Sequence, residues 1–127
     1  MILGIGTDIL RIQRMQAAHA RRGEALARRL LHERELHQWQ EKGCQVRWLA
    51  KRFAAKEALL KALGTGLRRG IRWRDLAIAN DAMGCPEVHL EGAAERRMRE
   101  MGGGSAHVSI SDEDHYVVAF ALIQSGS

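Results

Sequence analysis

The stretch Val46–Leu63 contains neither glycine nor proline, and Gly64 follows it directly. A run of that length without a breaker, ended by the residue that best tolerates a left-handed cap, predicts one long helix. Wound at about 100° per residue, Leu49, Phe53, Leu60 and Leu63 share one apolar stripe. Lys56 falls inside that stripe, whereas Glu57 and Lys61 lie together along its edge, one turn apart. Such a helix must bury its stripe, so the rest of the chain has to supply a partner layer.

The candidates for that layer are short β segments near the two ends of the chain. Ile2–Gly6 is an apolar run punctuated by glycine and reads as a strand. From Asp8 the spacing of Ile9, Ile12 and Met15 reads as helix, with Arg11 and Arg14 on its other side. Arg21-Arg22-Gly23 marks a break. Glu24–Leu31 and Glu33–Glu41 are charged, helix-favouring segments, with Leu26, Leu30, Leu36 and Trp39 as their buried contacts. Beyond the turn Gly64-Thr65-Gly66, Asp75–Ala79 and Glu87–Leu90 read as two hairpin strands. Pro86 stands where the second begins and needs no ladder donor. Ala93–Met101 reads as a short amphipathic helix and Gly102-Gly103-Gly104 as a flexible joint. His107–Ser111 alternates, with His107, Ser109 and Ser111 on one face and Val108 and Ile110 on the other; Tyr116–Ile123 is a nearly continuous apolar strand. The expected fold is a single α+β domain spanning residues 1–127, with a small antiparallel sheet packed against the long central helix.

A chain of 127 residues lies near the commonest domain size and can bury roughly two-thirds of the surface it exposes unfolded. With 46% apolar and 28% charged residues it has the balance of an ordinary soluble domain rather than a disordered chain. No apolar run reaches the ~18–20 residues of a membrane span, and Asp8 and Arg11 come too early for a signal peptide. Cys44 and Cys85 form neither a disulfide framework nor a CxxC pair. These features predict a reduced, cytoplasmic, globular protein. The net charge of +5 is uneven. Residues 1–63 carry thirteen Lys/Arg against six Asp/Glu, and residues 64–127 carry seven against nine. A basic first half is either a solvated helical face or a surface for an anionic partner. With one Tyr, two Phe and three Trp, a platform for stacking nucleic-acid bases has little to build with.

The six histidines never fall into HExxH or CxxC-type metal spacing, and no GxSxG motif is present. Gly4-Ile5-Gly6 is too short for a dinucleotide fingerprint, and Gly64-Thr65-Gly66 follows a helix, so it reads as a helix stop. Two features remain. In Gly4-Ile5-Gly6-Thr7-Asp8 a strand ends in a carboxylate, which either caps the next helix or serves as a ligand. In Lys51–Lys61, a lysine inside an apolar stripe must snorkel or meet an anion. Glu57 and Lys61 are open to two readings. One is an ordinary surface pair worth about 0.3–0.5 kcal/mol. The other is part of a site where a carboxylate holds a divalent metal and cations neutralise phosphates.

Gly-Ile-Gly-Thr-Asp at residues 4–8, Arg-Phe-Ala-Ala-Lys-Glu-Ala at 52–58 with Lys-Ala-Leu-Gly-Thr-Gly at 61–66, and His-Val-Ser-Ile-Ser at 107–111 occur together and in order. In this combination the chain, from Ile2 to about Ile123, resembles the holo-acyl-carrier-protein synthases, the short single-domain phosphopantetheinyl transferases. The resemblance implies transfer of the 4′-phosphopantetheine arm of coenzyme A to a serine of an apo acyl carrier protein, with magnesium required and adenosine 3′,5′-bisphosphate released. It implies Asp8 and Glu57 as metal ligands, and Lys61 as a phosphate contact and candidate proton donor. It also implies Arg52, Lys56, Gly84, Pro86 and His107, with Lys61, as coenzyme A contacts. The carrier-protein serine needs a base, and Glu57, or a metal-bound water that it orients, is the candidate. Cys85 stands where the family's Gly-x-Pro often has lysine, and Asp112 where many members have a second histidine.

The resemblance also gives the basic half a purpose. Acyl carrier proteins are acidic, and Arg11, Arg14, Arg21 and Arg22, with Met15 as an apolar contact, would dock one. The family's short members are homotrimers with active sites between subunits. That would place His107 and the Gly84–Pro86 hairpin across an interface from Asp8 and Glu57. Two other readings give no reason for an Asp together with a Lys-Glu-x-x-x-Lys: a small nucleic-acid-binding protein and a non-catalytic coenzyme A-binding module. The expected partners are therefore coenzyme A and a carrier protein, with no nucleic acid and no membrane.

Overall fold

Glycine alternation near the N-terminus decides how closely the sheet approaches the long helix. In the computed structural model, which describes residues 1–126, the elements follow in the order β1 (Ile2–Arg11), α1 (Ile12–Arg22), α2 (Glu24–Leu30), α3 (Glu33–Glu41), α4 (Val46–Leu63), a 3-10 turn (Trp73–Asp75), β2 (Leu76–Asn80), β3 (Pro86–Leu90), α5 (Gly92–Glu100), β4 (Gly103–Asp112) and β5 (Tyr116–Ser125). Strands β1, β5 and β4 form an antiparallel sheet in that spatial order, and β2 and β3 form a separate hairpin. Helix α4 packs across the three-stranded sheet, with Leu49, Leu59 and Leu63 fully buried between them and their neighbours.

The pleat sorts the sheet residues into two sets. Gly6, Leu10, Val117, Ala119 and Ala121 are buried, whereas Ile5, Ile9, Val118 and Phe120 remain exposed on the opposite face. On the buried side β1 comes into backbone contact with α4. A Cβ atom at Gly4 would lie 2.1 Å from the Ala62 carbonyl oxygen, and one at Gly6 would lie 2.1 Å from that of Ala58. Ala54, Ala55, Ala58 and Ala62 give α4 the shallow surface that this approach requires.

Helix α4 begins and ends where its sequence predicts. Gly64 adopts the left-handed conformation, with φ 77°, and its N–H donates to the carbonyls of Leu60 and Lys61. Its burial is wider than one stripe. Ala50, Arg52, Ala54, Ala55, Lys56 and Ala58 are buried as well, because the sheet covers one side while α1 packs on another.

Two expectations change. The first strand does not stop at Gly6 but continues to Arg11, and helix α1 starts only at Ile12. Asp8 is therefore a strand residue opposite Ala119, not a helix cap. Ladder pairing with β5 along the whole segment outweighs the helical spacing of Ile9, Ile12 and Met15. The glycine run after α5 is not a joint. Gly103 opens β4, where a side chain would meet Met98 and Ile123 at under 3 Å.

Candidate active site

The extension of β1 places Asp8 two residues beyond Gly6 on the face turned toward α4, where Glu57 and Lys61 face it. The Lys61 ammonium donates to the Thr7 carbonyl at 2.8 Å and to Asp8 Oδ1 at 3.4 Å. Burial, and then the charge of Asp8, push the Glu57 carboxyl above the usual glutamate range, with Lys61 pulling the other way. Glu57 and Lys61 also line an open cavity of about 360 Å³ with Gly64, Thr65, Gly66 and Arg68. The turn after α4 is thus a helix stop, as its position predicts, and also one wall of this cavity.

Two carboxylates that repel each other, with Lys61 beside them, suit a divalent cation whose charge would relieve the repulsion. Among the described residues no three His, Cys, Asp or Glu side chains gather at one point. The donors here are therefore two hard oxygen ligands with room for water and phosphate oxygens. That set fits magnesium, which uses one or two carboxylates and keeps several waters.

Lys56 does not join this group. It is fully buried and donates to the Leu30 carbonyl at 2.6 Å, the Trp73 carbonyl at 3.3 Å and Glu35 Oε1. The anion that a lysine in an apolar stripe needs comes from α3, so Lys56, expected at the coenzyme A site, has its partners inside the protein. Burial pulls the proton affinity of Lys56 down, and the charge and hydrogen bond of Glu35 work against that, so the ammonium is held by this carboxylate.

Arg52, one turn before Lys56, is 5% exposed and lies over the Trp48 ring at 4.4 Å. Together with Lys51, Asn80, Gly84, Pro86 and Ile110 they line a smaller cavity of about 180 Å³, so Arg52, Gly84 and Pro86 do meet. Near it Asp112 accepts from Arg47 at 2.9 Å and faces Lys51 at 3.2 Å. Burial pushes the Asp112 carboxyl up, but the bonds and charges of Arg47 and Lys51 outweigh it and hold the group below the usual aspartate range. His107 lies elsewhere. It is exposed on β4 opposite Leu122, on the sheet face turned away from Asp8, with Ser105 Oγ 3.1 Å from its Nε2.

Arg14, Met15, Arg21 and Arg22 line a groove of about 440 Å³ between α1, α2 and α4, with Arg29, Leu26, Phe53 and Trp73 completing it. Met15, at 4% exposure, forms part of its floor. Arg11 is not in this groove. As the last residue of β1 it stacks over Tyr116 and lines a separate depression with His115.

Sequence reasoning missed Glu35, Trp48, Arg29 and Trp73. Glu35 carries a readable signal, since it precedes Trp39 by one helical turn and so shares the buried face of its helix. Arg29 and Trp73 carry none, because their surroundings are assembled from separate elements.

A family profile described as the 4′-phosphopantetheinyl transferase superfamily matches residues 4–121. The holo-[acyl-carrier-protein] synthase of Vibrio parahaemolyticus serotype O3:K6 is 47% identical over 124 residues, covering 98% of each chain. The crystal structure of the holo-[acyl-carrier-protein] synthase from Neisseria meningitidis superposes with a TM-score of 0.92 at 41% identity, over 98% of this chain and 100% of that one. The Helicobacter pylori synthase, solved in complex with coenzyme A, superposes with a TM-score of 0.81 at 26% identity, over 94% of this chain and 99% of that one. With these full-length matches and the carboxylate–lysine cluster between β1 and α4, the chain belongs to the holo-[acyl-carrier-protein] synthases of the 4′-phosphopantetheinyl transferase superfamily.

Proposed function

We propose that residues 1–127 act as one catalytic domain. It transfers the 4′-phosphopantetheine arm of coenzyme A to a serine of an acidic apo acyl carrier protein, in cytoplasmic fatty-acid synthesis, with magnesium, releasing adenosine 3′,5′-bisphosphate. The observation that carries this reading is the juxtaposition of Asp8, Glu57 and Lys61 beside the cavity walled by Gly64–Gly66 and Arg68. Asp8 and Glu57 would hold the metal, whose charge neutralises the pyrophosphate when bound. Lys61, beside Asp8, would donate to the leaving phosphate. Glu57, or a water that it orients, would take the serine proton. The serine oxygen then bonds to the phosphorus that carries pantetheine, and the bond to the leaving nucleotide's phosphate oxygen breaks.

Arg52, Gly84 and Pro86 would hold the nucleotide end of coenzyme A. His107 contributes only if subunits assemble, since it sits on the opposite sheet face from Asp8. That face exposes Ile5 at 60%, Ile9 at 66%, Val118 at 44% and Phe120 at 38%, and clustered exposed apolar side chains of this kind support an interface there. Further copies of this chain covering it would form the homotrimer and bring His107 to a neighbouring site.

The groove of Arg14, Arg21, Arg22 and Arg29 over Met15, Leu26 and Phe53 would receive an acidic, amphipathic carrier helix. Arg14→Glu is expected to weaken carrier-protein binding about tenfold while leaving coenzyme A affinity within about twofold. Calorimetric titration of each ligand checks this, and equal losses for both would remove the docking role. The reaction itself is tested by intact-mass spectrometry of apo acyl carrier protein incubated with coenzyme A, magnesium and the enzyme. A mass gain of one phosphopantetheine, lost with chelator and with Asp8→Ala or Glu57→Ala, is the expected result. Coenzyme A binding without transfer would overturn it in favour of a binding module.

A further inference from the structure

The buried carboxylate of Glu35 touches no part of the cluster at Asp8, yet two other segments of the chain meet it directly and two more reach it through Lys56. Glu35 is 1% exposed and belongs to the first turn of α3. Its Oε1 accepts from the His32 N–H at 3.0 Å and from the Lys56 ammonium. Its Oε2 accepts from the Ile78 N–H of β2 at 3.1 Å and faces Arg52 Nε at 3.7 Å. Lys56 in turn binds the Leu30 carbonyl at the end of α2 and the Trp73 carbonyl of the 3-10 turn. One carboxylate thus gathers two cations that lie one turn apart on α4, and the buried cluster of Glu35, Lys56 and Arg52 carries one positive charge in excess.

That excess is lodged on Arg52. Its Nε is a buried donor without a hydrogen-bond partner among the described residues, because 3.7 Å to Glu35 is too long for one. An unpaired buried donor is costly unless something else compensates it. Here the compensation is electrostatic. Glu35 faces the guanidinium at 3.7 Å and the Trp48 ring lies against its face at 4.4 Å, beside the cavity lined by Gly84 and Pro86. A carboxylate that paired fully with Arg52 would take up donors and offset its charge, so that Arg52 would hold a ligand anion less tightly. A carboxylate occupied by Lys56 and the Ile78 N–H, and standing just beyond bonding distance, orients the guanidinium and leaves its charge available.

We propose that Glu35 is a positioning residue for coenzyme A: it fixes the Arg52 guanidinium over Trp48, so that a ligand phosphate meets a cation already oriented. The proposal rests on the assignment of Arg52 to the coenzyme A site. Glu35 itself makes no contact with substrate. Lys56 keeps the carboxylate from neutralising Arg52.

The test uses the full chain and the isosteric Glu35→Gln, with folding checked by circular dichroism. Glu35→Gln should weaken coenzyme A binding about tenfold by calorimetry and raise the coenzyme A KM by a similar factor. Carrier-protein affinity and kcat should stay within about twofold. The effect should vanish in the Arg52→Ala background, where adding Glu35→Gln should leave coenzyme A affinity unchanged. Should Glu35→Gln not fold, Glu35→Asp replaces it in the same cycle, keeping the charge but withdrawing it by one methylene. Unchanged coenzyme A affinity in a folded variant would overturn the proposal. So would equal loss of both ligands, or the same loss with Arg52 already removed, since either is what a general packing role produces. Failure of the unaltered enzyme to bind coenzyme A would instead remove the assignment on which the proposal rests.

Discussion

Gly6→Ala is expected to lower the thermal midpoint of the protein by about 10 °C or more, a loss near 3 kcal/mol at roughly 4 °C per kcal/mol. The added methyl would lie 2.1 Å from the Ala58 carbonyl oxygen, 2.8 Å from the Ala62 nitrogen and 2.8 Å from Lys61 Cβ. Two of those three atoms are helix backbone, which cannot swing aside as a flexible side-chain tip does. The strand must lift from α4 or the helix must bend, and either response reaches the site. Asp8 lies two residues further along the same face, so moving β1 outward separates it from Lys61 and Glu57. Metal-dependent turnover should therefore fall in the fraction that stays folded. A melt followed by circular dichroism, with the transfer assay run well below the midpoint, checks both effects. An unchanged midpoint would mean that β1 does not rest on α4 through its glycines.

Glu57→Gln should have opposite effects on activity and stability. Transfer should fall by about a thousandfold or more, since the proposed base and one of two metal ligands are lost together. The metal-free protein should become slightly more stable above the ordinary glutamate range, as is common when a functional charge is removed. The gain is about a few tenths of a kcal/mol, because solvent screens a carboxyl that is only partly buried. The sign follows from linkage. Burial and Asp8 raise the folded-state proton affinity of Glu57, so across that window the native state binds more protons than the unfolded chain. Stability of the metal-free enzyme must fall as pH rises from the ordinary glutamate range through the raised one, and glutamine abolishes that contribution. Protons compete with the metal in the same window, so magnesium affinity should weaken as pH falls through it. Thermal melts across pH, with and without magnesium, separate the two effects. A variant that turns over normally would remove both proposed roles of Glu57.

Much of the framework is legible in the sequence because it is local. The ends of α4 follow from an unbroken run and a glycine cap, and the β2–β3 hairpin from two short strand-like runs and the place of Pro86. The alternation of His107, Ser109 and Ser111 against Val108 and Ile110 likewise survives in the structure. The departures all involve a distant partner. Residues 8–11 have helical spacing, yet they become strand because Ala119, Val118, Val117 and Tyr116 pair with them across the sheet. Lys56 is legible as a cation in need of an anion, but its partner, Glu35, comes from 21 residues away. Arg11 groups with Arg14 on a helical reading, and the extra strand length carries it to a different surface.

The length of the central helix, the glycines that let a strand lie on it, and the one-turn spacing of Glu57 and Lys61 are all written in the amino-acid order. Those properties depend on residues within a turn or two of each other. That Asp8 faces Glu57, that His107 faces away from both, and that Lys56 is tied to Glu35 emerge only once the elements are packed together. In each case the outcome turns on which face of a strand or helix is covered. Local spacing sorts residues into faces, but the burial of one face against a distant segment chooses between them.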